Sequence, residues 1–192
     1  YQTFHRYSKE VESTLRKVTE NYLDEAISNE LYATIKEQDG NRYSDSELND
    51  IKTMISKKEY DILFQKIPHI GIATSYDMGW QKRSTGRLFD SMSGHGFMVG
   101  CRTRKVIMYG TKTKQCSVCR IANQTGADPK DHTCNVNWEG SSGSMESALA
   151  LKLITEFGKT HQNNIYINDL VTDDDSTLRS HCSNEKNGGK LN

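Results

Sequence analysis

The chain has 192 residues, 34% apolar and 26% charged, enough for one domain with a real core plus a helical extension. No apolar run approaches the roughly 18–20 residues of a membrane span, and the opening Tyr1–Arg6 lacks the apolar stretch of a secretory signal. These features predict no membrane-spanning helix and no membrane partner.

Net charge is zero, with 25 Lys/Arg against 25 Asp/Glu, but it is unevenly spread. Residues 1–66 hold ten basic against thirteen acidic side chains, residues 77–134 ten against four, and residues 135–192 five against eight. A basic middle third in a neutral chain points to contact with a polyanion, the plainer alternative being a solvated basic sheet face. Five cysteines, an odd count with one tight pair, argue for reduced thiols and hence for cytosol or nucleus.

Along the chain, Val11, Leu15, Val18 and Tyr22 recur at spacings of four, three and four, predicting a long helix from residue 3 to about 38. Ser44 and Glu47 form a capping box that opens a second helix lasting to about Lys66, before Pro68. From Ile70 the texture turns to short β-type runs. Ile70–Asp77, Gly96–Arg102 and Lys105–Lys112 read as strands, the last two joined by a tight Thr103-Arg104 turn. Residues 116–142 lack periodicity and read as an insertion held by something other than an apolar core. A helix opens at Ser144 or Met145 and runs to about Gly158, a strand follows over Asn164–Val171, and an acidic strand-to-helix junction begins at Asp173.

This order gives an α/β class: an antiparallel three-strand meander, then α-β-α, compatible with an RNase H-like core. The expected layout is a helical N-terminal segment (1–68), the RNase H-like core (69–182) with a zinc-binding insertion (113–142), and a disordered tail (183–192).

Three constellations carry chemistry. Asp77 ends the first strand, and Asp173, Asp174 and Asp175 close the fourth. In such a sheet these strands are neighbours, so the carboxylates converge and gain by binding a hard divalent cation. Two such ions can hold both oxygens of an in-line phosphoryl displacement. Acidic residues also cap helix N-termini, and Asp175 is the strongest candidate for that lesser role. Glu146, near the start of its helix, is a further ligand candidate or a local cap.

The second constellation is Cys116-x-x-Cys119, twelve intervening residues, then His132-x-Cys134. Cys₃His suits tetrahedral Zn²⁺, which would stand in for the missing core of the insertion. Free thiols and a redox pair are the alternatives. The third is the stretch Trp80–Arg87, where Lys82, Arg83 and Arg87 follow Asp77 and can bind nucleic-acid phosphates, or simply face solvent. His95, between glycines, could orient a ligand or cap a turn.

Together Asp77-Met78-Gly79-Trp80-Gln81-Lys82-Arg83, Gly86-Arg87, Ser91–Gly96, Gly100–Thr103, Cys116–Cys119, His132–Cys134, Asn137–Ser142, Met145-Glu146 and Asp173–Thr177 resemble the Mutator-like transposase domain of animal genomes, in order over residues 70–180. The resemblance implies a DDE/D-type catalytic domain that cuts and rejoins DNA in the nucleus with two Mg²⁺ or Mn²⁺ ions. Asp77 would be the first acid and Asp173 the second, with Asp175 competing for that role. Element ends and target DNA are the implied partners, and a homo-oligomer is left open. The family's third acid should lie well downstream, whereas only Glu185 follows here, so a core truncated at its C-terminus and inactive is expected. The rival expectation is a non-catalytic, zinc-containing DNA-binding protein derived from a transposase.

Overall fold

The computed structural model describes residues 2–81, 91–161 and 164–173. The chain begins with α1 (Gln2–Asp39), about 57 Å long at the standard helical rise. A 3₁₀ turn (Gly40–Arg42) leads to α2 (Asp45–Ser56) and α3 (Tyr60–Lys66). The Ser44 hydroxyl accepts from the Glu47 amide and the Glu47 carboxylate accepts from the Ser44 amide, so the capping box forms as expected.

The single helix expected over residues 44–66 is two. Lys58 takes a left-handed φ of 57°, while its amide donates to the Ile55 carbonyl and the Glu59 amide to that of Met54. That is the Schellman closure usually signalled by glycine. Leu48, Ile51 and Ile55 form the buried stripe of α2.

Four strands follow: β1 (Ile70–Trp80), β2 (Ser93–Gly100), β3 (Val106–Thr113) and, after two further helices, β4 (Ile165–Thr172). The intervening helices are α4 (Ser117–Thr125) and α5 (Gly143–Thr160). The sheet order is β3-β2-β1-β4. β1 and β2 are antiparallel, as are β2 and β3, and β4 lies parallel to β1. The meander and the adjacency of first and fourth strands are therefore as expected. Arg104, with φ 59°, makes the tight β2–β3 turn.

One face of the sheet is covered by helices. Ile70, Ile72, Tyr76 and Met78 of β1, Met98 of β2 and Ile107 of β3 are buried there. They join one cluster with Leu149, Leu153 and Phe157 of α5, Leu31 and Ile35 of α1, and Ile51 and Ile55 of α2. Gly96 lies against α5, where a Cβ would come 2.9 Å from Leu149 Cδ2. The opposite face carries a row running from Asp77 to its partner Phe97 and on to Tyr109, with the two aromatic rings 41% and 47% exposed.

The N-terminal half of α1 runs past β3, where Val11, Leu15 and Tyr109 line an open groove. Among the described residues no helix is long and apolar enough to cross a membrane.

Candidate functional site

Strand direction gathers the candidate residues. β1, β3 and β4 all run toward one end of the sheet, where β2 begins. From that end β3 gives way to the cysteine-bearing insertion, which returns into the first turn of α5.

The insertion contains a helix that its sequence did not announce. Cys116 is the N-cap residue of α4, in extended conformation, and Gly126 closes the helix with φ 68°. The cap position aims free amides at sulfur. The Cys119 amide above all, with Val118 behind it, pulls the Cys116 thiol down to about 6. Cys119 moves the other way, to about 11, first because of its hydrogen bond with Cys134 and then because of desolvation. His132 is raised, chiefly by the Lys130 carbonyl and next by Cys134.

His132 Nδ1 lies 2.7 Å from the Lys130 carbonyl oxygen, which fixes the proton there. Its Nε2 is left facing Cys116 Sγ at 3.2 Å and Cys119 Sγ at 3.4 Å. Cys119 Sγ and Cys134 Sγ are 3.7 Å apart, and all four ligand atoms lie within 4.8 Å of one another. Tetrahedral Zn–S bonds of about 2.3 Å require sulfurs about 3.8 Å apart, so the Cys₃His set fits a metal ion such as zinc. An imidazole oriented by a backbone carbonyl is the usual arrangement for a ligating histidine.

Asn137 ties the insertion to the sheet. Its amide donates to the Thr113 carbonyl at 3.0 Å, its Oδ1 accepts from the Thr113 amide at 2.8 Å, and its Nδ2 donates to the Thr111 carbonyl at 3.1 Å. One residue thus serves β3 as a strand partner would. Beside it, Lys112 Nζ sits 4.7 Å from the Trp138 ring centroid, and Lys114 Nζ donates to the Ser142 hydroxyl at the head of α5.

The acidic residues lie at the same end. Asp77 does not end β1 as expected, since pairing with β2 carries the strand on to Trp80; it is exposed, its Oδ1 accepting from the Met78 amide at 2.8 Å. The last paired residues of β1 and β4 are Tyr76 and Thr172. Asp77 and Asp173 each follow directly on that pair, on parallel strands spaced about 4.8 Å apart. Glu146 stands in the first turn of α5. Between them is Tyr76, whose buried hydroxyl donates to the Glu146 backbone carbonyl at 3.1 Å. Burial first, then the Glu146 and Asp77 carboxylates, push that phenol well above its ordinary range.

His95 is exposed on β2 opposite Gly79. Lys82, Arg83, Arg87, Asp174 and Asp175 lie outside the described residues. Sequence reasoning passed over Tyr76 and the pairing role of Asn137, although Tyr76 precedes Asp77 directly and Asn137 opens the Asn137–Ser142 stretch.

A family model described as Mutator-like transposase matches residues 46–191. No curated protein and no solved structure matches.

Proposed function

The chain belongs to the Mutator-like transposase family, and from that premise we propose that it is the RNase H-like portion of a DNA transposase, acting on DNA backbone phosphates. The observation that carries this reading is the adjacency of Asp77 and Asp173, one step beyond the Tyr76–Thr172 pair, with the Glu146 turn of α5 bonded to Tyr76. The order β3-β2-β1-β4, with β4 parallel to β1, supports an RNase H-like assignment.

Asp77, Asp173 and Glu146 would hold divalent metal, with Asp175 competing for the place of Asp173. When bound, a pair of Mg²⁺ or Mn²⁺ ions would supply activation of the attacking water or 3′ hydroxyl and stabilisation of the leaving oxygen. The carboxylates themselves contribute negative charge and oxygen donors that favour such ions over softer ones. Lys82, Arg83 and Arg87 would neutralise backbone phosphates and position the strand without reading its sequence. Cys116, Cys119, His132 and Cys134 would hold structural zinc, replacing the apolar core that the insertion lacks. The site of action would be the nucleus, where DNA and reduced thiols coincide.

The test is nicking of supercoiled DNA by the zinc-loaded chain in Mg²⁺ or Mn²⁺, with filter binding run alongside. Nicking that disappears in Asp77→Ala while DNA binding persists supports the transposase reading. Salt-sensitive binding without any nicking in either metal would replace it with the non-catalytic, zinc-containing DNA-binding protein.

A further inference from the structure

We propose that Tyr76 is a positioning residue, whose hydroxyl fixes the first turn of α5 so that the Glu146 carboxylate joins those of Asp77 and Asp173 in one divalent-metal site. The inference rests on the carboxylate reading given above and adds to it how the helix is tied to the sheet.

Tyr76 is next to Asp77 in β1 and pairs with Thr172, next to Asp173 in β4. Its ring leaves the sheet on the helix-covered face and is 3% exposed. The hydroxyl crosses to α5 and donates to the Glu146 carbonyl at 3.1 Å. Tyr76 therefore connects both acidic strands to the helix that bears the third carboxylate, pairing with β4 through its backbone and bonding α5 through its hydroxyl.

The path is built for it. Gly96 on β2 leaves a notch, since a Cβ there would stand 2.6 Å from Tyr76 Oη and 2.9 Å from Leu149 Cδ2. The ring lies in that notch, between the strand and the helix. A buried hydroxyl needs a partner, and the partner here is the backbone of the residue whose carboxylate must be aimed. Groups that orient ligands in this way typically change metal affinity by 10–100-fold when removed.

The experiment is Mn²⁺ titration of the zinc-loaded chain by calorimetry, for the unaltered protein, Tyr76→Phe, Glu146→Gln and the double variant. Phe keeps the ring in its notch and removes only the hydroxyl, and zinc content with thermal melting verifies that each variant is folded. The expected result is about tenfold weaker Mn²⁺ binding in Tyr76→Phe, and no further loss when the same change is made on the Glu146→Gln background. A general structural role would weaken both backgrounds equally, and that outcome overturns the proposal. So does unchanged affinity in Tyr76→Phe. If the unaltered zinc-loaded chain takes up no Mn²⁺, this inference falls together with the carboxylate reading on which it rests.

Discussion

The Glu30 carboxylate, fully buried in α1, accepts a hydrogen bond of 2.6 Å from the Thr103 hydroxyl in the turn between β2 and β3. The same carboxylate accepts from the amides of Thr103 at 2.8 Å and Arg102 at 3.1 Å. It thus holds a hairpin turn more than seventy residues away, and Gly100 leaves the space for it to approach. Arg102 adds an outer tie to Glu37 of α1 at 2.6 Å.

Glu30→Ala removes the acceptor and leaves two half-buried turn amides and a hydroxyl without this partner. Each such loss costs about 1–3 kcal/mol, and in this half-buried turn, where water can replace part of the lost acceptor, each lies at the lower end. The expected destabilisation is about 3 kcal/mol, read as a drop in the urea midpoint at unchanged slope. A change under about 0.5 kcal/mol, the scale of an ordinary surface substitution, would mean that the latch contributes nothing.

Glu30 also shows where sequence reading ends. The capping box at Ser44 and Glu47 was legible because both partners lie within one turn. So were the four strands and the turn at Arg104, whose signals are equally local. That the strands bearing Asp77 and Asp173 lie side by side was legible because strand order alone predicts that neighbourhood. Glu30 was not, because nothing near it in the chain reveals a distant hairpin that needs an acceptor. The break at Lys58 escaped because a left-handed lysine carries no glycine signal. α4 escaped because it is only nine residues long and its one buried residue, Ala122, gives no stripe.

Gly96 and Leu149 share one volume in the core. Leu149→Ala should cost about 2–5 kcal/mol by opening a cavity beneath the sheet. Gly96→Ala should cost about 1–3 kcal/mol by overpacking Tyr76 and Leu149. The double variant should cost clearly less than the sum, because the new methyl enters space that Leu149 vacates. Strict additivity in denaturant midpoints would show that the two positions do not contend for the same space.

Asn137 makes three bonds to the backbone of β3, two of them through its side chain. Asn137→Ala keeps the backbone bond and deletes the other two, for an expected loss of about 1–2 kcal/mol. Because the tether also anchors the returning end of the insertion, amide hydrogen exchange should quicken at Thr113 while the β1–β4 ladder keeps its protection. Uniform quickening across the sheet would indicate that Asn137 supports the whole fold rather than this junction.

The Cys₃His site gives a pH prediction with a definite sign. Metal binds thiolates and neutral imidazole, so every proton held by the free ligands competes with it. Cys116, drawn down to about 6 by the α4 amides, has already lost its proton at neutral pH. Cys119, pushed to about 11, still holds one there, and His132, raised above its ordinary value, takes up its competing proton earlier as pH falls. Zinc affinity should therefore rise steadily from pH 6 to pH 8, and fall more steeply below about pH 6, where Cys116 takes up its proton as well. Competition against a chromophoric chelator measures this directly. Zinc uptake that stays level across that interval would show that these ligands do not hold the metal. Removing the zinc with excess chelator should expose residues 116–134 to proteolysis while the sheet, whose core lies under α5 and α1, melts nearly as before. A sheet that unfolds with the insertion would make the zinc site a support of the entire domain.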